Sequence, residues 1–153
     1  MSDNFLSHDP VIAADFIEKW EGCVLHAYKA TPSEAYWTIG VGHYGADVHE
    51  GDQISWEESR DMLIDDIHKV AYQLAPCVNV PVTDNQYIAI VSLAFNVGAG
   101  RVKRSKMLRA LNSYRFDDAA KEFLDFDMAG GVRLRGLTRR RKAEHDLFLT
   151  EDE

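Results

Sequence analysis

The stretch DNQYIAIVSLAFNV at residues 84–97 carries an apolar side chain at nearly every position from Ile88 to Phe95. A helix that is apolar on all sides has no face to give to water, so other elements have to surround it. The apolar run is far too short to cross a bilayer, which leaves the centre of a folded core as its place. Thr83 just before it and Gly98 just after it have the chemistry of a helix start and stop. At 153 residues, with 46% hydrophobic and 27% charged positions, the chain has the size and make-up of one soluble domain able to build such a core.

The surrounding elements follow from local pattern. Asp9-Pro10 reads as an N-cap with Pro at the first helical position, and Ile12, Phe16 and Trp20 recur at i, i+4 and i+8 until Gly22 ends the helix. Residues 24–28 and 36–41 are rich in β-branched and aromatic types and bounded by turn residues, so they predict a small antiparallel sheet with glycine turns at Gly40, Gly42 and Gly45. Ser55 and Glu58 form a capping-box pattern opening a helix that runs to about Ala75, where Pro76 stops it. Ser105 caps a short amphipathic segment, Asp117-Asp118 open another, Gly130-Gly131 break the chain, and Thr138 caps a last helix. One helix, a small sheet and then a run of helices without strands make an α+β arrangement. We expect a small β-containing lobe over about 12–60 and a larger helical lobe over about 61–150, packed with the N-terminal helix and separated by a cleft.

Charge is spread unevenly. Residues 1–80 hold four Lys/Arg against fourteen Asp/Glu, whereas the segment 101–142 is basic, with the clusters RVKRSK and RLRGLTRRRK. A basic face attracts anionic polymers, although solvated helix faces give the same pattern. The net charge of −8 and the lack of aromatics among the cations argue against nucleic acid as a partner. Cys23 and Cys77 make at most one disulfide and read as small apolar residues. The six histidines have no metal-ligand spacing, no cofactor motif is present, and a monomer is expected. The first residues lack the basic start and apolar run of a secretory signal.

Glu21 stands where the first helix gives way to the sheet. A helix C-terminus disfavours added negative charge, and Trp20 and Leu25 add desolvation; both favour the neutral carboxyl. A carboxyl that keeps its proton near neutral pH is what glycoside cleavage requires of a general acid. Position alone leaves the exposed helix-end acid as the simpler alternative, just as Thr38 read alone is a plain strand residue.

The sequence Glu21-Gly22, Leu25, Ala27-Tyr28 followed by Trp37-Thr38-Ile39-Gly40 and Gly42-His43 resembles the catalytic signature of the phage lysozymes, the endolysin muramidases of glycoside hydrolase family 24 and of the T-even phage type. The resemblance continues through DNQYIAIVSLAFNVG, RSKMLRALN, AAKEFLDF and GLTRRRKAEHDLF, so that it spans about Ile12 to Leu149. It implies a lysozyme-like, mostly helical fold that hydrolyses the β-1,4 bond between N-acetylmuramic acid and N-acetylglucosamine in peptidoglycan. Inversion at the anomeric carbon is implied as well. Glu21 takes the place of the general acid and Thr38 that of the threonine beside the attacking water. Phe95, Asn96 and Ser105 match positions at the sugar cleft, although Asn96 reads equally as a helix-end cap, and Tyr28 is expected at the cleft floor or the lobe interface. Arg139 matches a basic residue held near the acid, and His43 reads as a partner for a carboxylate in the helical lobe. The family's usual Asp, nine positions after the Glu, falls on Ala30, and the loop before Thr38 is two residues longer than usual. Glu34 is the loop's only carboxylate and the candidate substitute, with an exposed loop acid as the alternative; Thr31 or Ser33 would otherwise hold the water. The loss of the Asp also opens the reading of a module that grips the glycan without cutting it. The basic clusters would face an anionic cell wall or the outer membrane. Similar endolysins wait in the host cytoplasm until a separate pore-forming protein opens the membrane.

Overall fold

The computed structural model describes residues 5–152. Asp9 caps a 3₁₀ turn, Pro10–Ala13, through a bond from the Val11 amide to its carboxylate, and the chain runs on into α1, Ala14–Glu21. The deepest side chains here are Ala13, Ala14 and Ile17, with Ile12, Phe16 and Trp20 half-buried beside them. The small residues let α1 approach the core closely, and the larger ones cover its flanks.

Strands β1 (Val24–Tyr28), β2 (Trp37–Gly40) and β3 (His43–Gly45) form one antiparallel sheet in chain order. Tyr28 pairs with Thr38 and Thr38 with Tyr44. Directly opposed residues share a face of a sheet, so these three side chains stand in one row. Leu25, expected to shield Glu21, is exposed.

Helix α2 (Trp56–Leu74) starts at a complete capping box, Ser55 with Glu58, and ends where Pro76 enters a 3₁₀ turn. Helix α3 (Asp84–Val97) starts at a second box, Thr83 with Gln86. Every residue from Ala89 to Ala94 on α3 is buried, the central position its composition demanded. Short helices α4 (Ala99–Lys103), α5 (Lys106–Asn112) and α6 (Phe116–Phe123) follow. The long α7, Arg135–Leu149, packs across both α3 and α6.

Two features depart from the expectation. A hairpin, β4 (Met128–Ala129) with β5 (Val132–Arg133), interrupts the helical half. It turns on Gly130 and Gly131, both at positive φ (58° and 80°), the combination a two-residue hairpin turn needs. Thr138 is not a cap: α7 begins a turn earlier, and the Thr138 hydroxyl donates 2.9 Å to the buried Asp127 carboxylate, which Arg133 also grips. Cys23 and Cys77 are free thiols.

Candidate active site

Glu21 is the last residue of α1, and the turn at Gly22 sends the chain straight into β1. The carboxylate is one-fifth exposed, and its Oε2 accepts a 2.5 Å bond from Arg140 Nη1 of α7. Its Oε1 lies against Gly42 in the β2–β3 turn. A Cβ at Gly42 would stand 3.1 Å from that oxygen and 3.9 Å from the Phe95 ring, and φ is +69°. Only glycine both adopts this conformation readily and leaves the acid its room. The sheet, the end of α3 and α7 therefore meet at one side chain.

Beside this meeting point runs an open groove of about 360 Å³, lined by Gly42, Tyr44, Lys69 and Phe95 among others. Phe95 is half-buried and Asn96 exposed at the end of α3, where the terminating bond is made by the Gly98 amide to Ala94 O rather than by Asn96. Tyr44, which sequence reasoning passed over, completes the Tyr28–Thr38 row and contributes to the groove. Its hydroxyl accepts a bond from the Tyr36 amide at 3.3 Å, and the two rings meet edge-on.

Glu34 folds back along its loop. Its Oε1 accepts the amides of Ala30 at 2.6 Å and Thr31 at 3.3 Å, which places a carboxylate against the backbone of the position where the family pattern has Asp. Thr31 and Ser33 hydrogen-bond each other through their hydroxyls on the exposed loop.

His43 does find its carboxylate. Nδ1 lies 2.7 Å from Asp66 of α2, and Nε2 lies 2.9 Å from Asp47. Burial pulls this imidazole down, but the hydrogen bonds and charges of Asp66 and Asp47 outweigh it and raise the group above its usual range, while His43 holds Asp47 below its own. A raised histidine stabilises the fold fully below its unfolded value of about 6.5, and that contribution disappears as pH rises through the folded value. The Tm gap between the parent and His43→Gln should thus be widest near pH 5.5 and narrow toward about pH 8. A constant gap in thermal scans across that window would remove the charged clamp.

Ser105 is nine-tenths buried, and its hydroxyl is used inside its own turn, donating to Val102 O at 2.6 Å and accepting from the Leu108 amide at 3.1 Å. It serves as the cap of α5 and is not free to meet a sugar. Arg139 is exposed on the outer side of α7, beside Thr138, Lys142 and the β4–β5 hairpin. The cation at the acid is its neighbour Arg140.

Sequence reasoning also missed what holds Arg140. Its side chain is 5% exposed; Nε points to Glu144 Oε2 at 3.3 Å, and Nη2 donates to Ser92 O at 3.1 Å and lies 3.3 Å from Ser92 Oγ. Glu144 is fully buried, bonded by Ser92 Oγ at 2.5 Å and Arg141 Nη2 at 2.9 Å, with Arg141 Nε 2.7 Å from its other oxygen. Burial pushes Glu144 up against the pull of Arg141, Ser92 and Arg140, and it pushes Arg141 down. Arg140, Arg141, Glu144 and Phe148, at i, i+1, i+4 and i+8, would have revealed this inward face of the helix.

A small antiparallel sheet set against helices, with one acid at their seam, defines a lysozyme-like fold. The muramidase domain of SpmX from Asticaccaulis excentricus superposes with a TM-score of 0.83 at 31% identity, covering 91% of this chain and 95% of that one. A mutant P22 lysozyme superposes with a TM-score of 0.80 at 36% identity, covering 90% and 95%. The phage lysozyme family model matches residues 18–144, and the chain belongs to that family. The endolysin of Bacillus phage B103 is 44% identical over 136 residues, 89% of this chain and 52% of that protein. The chain spans about half the length of the Bacillus phage endolysins it matches.

Proposed function

We propose that the chain is an endolysin that hydrolyses the β-1,4 bond between N-acetylmuramic acid and N-acetylglucosamine in bacterial peptidoglycan, with inversion. The observation that carries this is the Glu21 carboxyl at the seam, still partly open to solvent beside the groove at Gly42, Tyr44 and Phe95. In this reading Glu21 donates its proton to the leaving oxygen, and Thr38, in the row between Tyr28 and Tyr44, holds the attacking water. Glu34, through the oxygen its loop amides leave free, supplies negative charge on the water's side. Asn96 and Phe95 would contact the sugar at the mouth of the groove. Turbidity of purified peptidoglycan tests the reading: the parent chain clears it, and products analysed early by NMR carry the inverted anomer. Sedimentation with the wall in the absence of any clearing would instead support a non-cutting binder.

The wall is also the partner that the charge pattern favours. All ten Lys and Arg in segment 101–139, together with Lys142, are exposed, which supports contact with an anionic wall or the outer membrane. Replacing Lys103, Arg104, Lys106 and Arg109 by Gln should slow lysis of intact cells and of cells stripped of their outer membrane at low salt; unchanged lysis of both would dismiss the contact. Among the described residues no helix is long and apolar enough to cross a membrane.

A further inference from the structure

The buried cluster behind the acid consists of two guanidinium groups and two carboxylates. Arg140 splits its donors between Glu21 on one edge and Glu144 on the other, at 2.5 and 3.3 Å. Ser92 O also anchors Nη2, so Glu144 adds a negative charge to a guanidinium that is hydrogen-bonded on both sides of it. We infer that Glu144 is a positioning residue for the proposed reaction: by taking one edge of the Arg140 guanidinium it divides that cation between two carboxylates and limits its grip on Glu21. The inference rests on Glu21 acting as the proton donor.

The groups around Glu144 are Arg140 and Arg141 of its own helix, Ser92 of α3, and Glu21 of α1 beyond Arg140. Asp127, next to the Phe126 carbonyl that Arg141 approaches at 3.5 Å, is already engaged by Arg133 and Thr138. With both carboxylates ionised the four charges balance. Removing the Glu144 charge leaves Arg140 with Glu21 as its one carboxylate, and an unshared cation at hydrogen-bond distance favours the ionised acid. An acid that must arrive protonated then loses its proton at lower pH.

The test is the pH profile of kcat on a soluble peptidoglycan fragment. Glu144→Gln should move the alkaline limb about one pH unit downward with KM little changed. Glu144→Asp, which keeps the charge, should restore the parent profile. Because Glu144→Gln leaves Arg141 unpaired, Arg141→Met with Glu144→Met provides the second variant: it swaps the inner pair for apolar side chains and keeps Arg140 on Glu21, and because it also removes the Arg141 cation, which acts on Glu21 as well, it should move the limb the same way but by less. A role confined to folding would lower Tm in these variants with the limb unmoved, and that result overturns the inference. A parent chain without hydrolysis overturns the muramidase reading and this inference together, whereas an active parent with unmoved variants overturns this inference alone.

Discussion

Glu21→Gln is expected to lower peptidoglycan hydrolysis by about 10³-fold or more, with the fold intact. The amide keeps the size and hydrogen-bonding shape of the carboxyl and has no proton to give to a departing sugar oxygen. Arg140 loses one ionic partner and keeps Glu144 and the Ser92 carbonyl, so the cluster survives. Circular dichroism and thermal unfolding should therefore match the parent while turbidity clearing stops. Glu34→Gln gives the contrast. Its Oε1 would still accept the Ala30 and Thr31 amides and hold the loop, so its loss of charge should lower kcat only about tenfold. Equal damage from both would make the inserted loop the source of an indispensable second carboxylate. Full activity of Glu21→Gln would end the general-acid assignment.

Arg140→Met should be the most destabilising single change at the site. A nearly buried guanidinium serves Glu21, Glu144 and Ser92 at once, and methionine fills much of its volume while returning none of its donors. Removing one partner of a buried charge network costs about 3–5 kcal/mol, because the remaining carboxylates keep their desolvation without their cation. In a domain of this size that corresponds to a fall in Tm of roughly 10 °C. Adding Glu21→Gln to Arg140→Met should recover part of the loss, since one stranded carboxylate is then neutral; strict additivity in urea unfolding would show that the two side chains are not coupled. An unchanged midpoint for Arg140→Met alone would contradict the role given to the cluster.

Much of the architecture was readable from short stretches. Thr83 with Gln86 and Ser55 with Glu58 satisfy their own helix starts, so their effect is encoded within four residues. The apolar stretch around Ile90 dictated a central helix because no exposed placement was open to it. The β4–β5 hairpin was missed because two-residue strands carry no periodicity, leaving only Gly130-Gly131 as a signal. Thr138 was misread as a cap because a hydroxyl before a helical pattern looks the same whether it caps the backbone or reaches a distant carboxylate such as Asp127.

The sequence by itself determined that a lone acid closes the first helix, that a threonine lies mid-strand after it, and that a family signature joins them. It did not determine which of three consecutive arginines faces that acid. Arg139, Arg140 and Arg141 are chemically identical, and the choice depends on the rotation of α7 against α3, a contact between residues 119 apart in the chain. Glu34 shows the same limit: only the folded loop decides that its carboxylate returns to Ala30. Caps and periodicity are settled by neighbours along the backbone, whereas the pairing of buried charges is settled by which helix faces pack together.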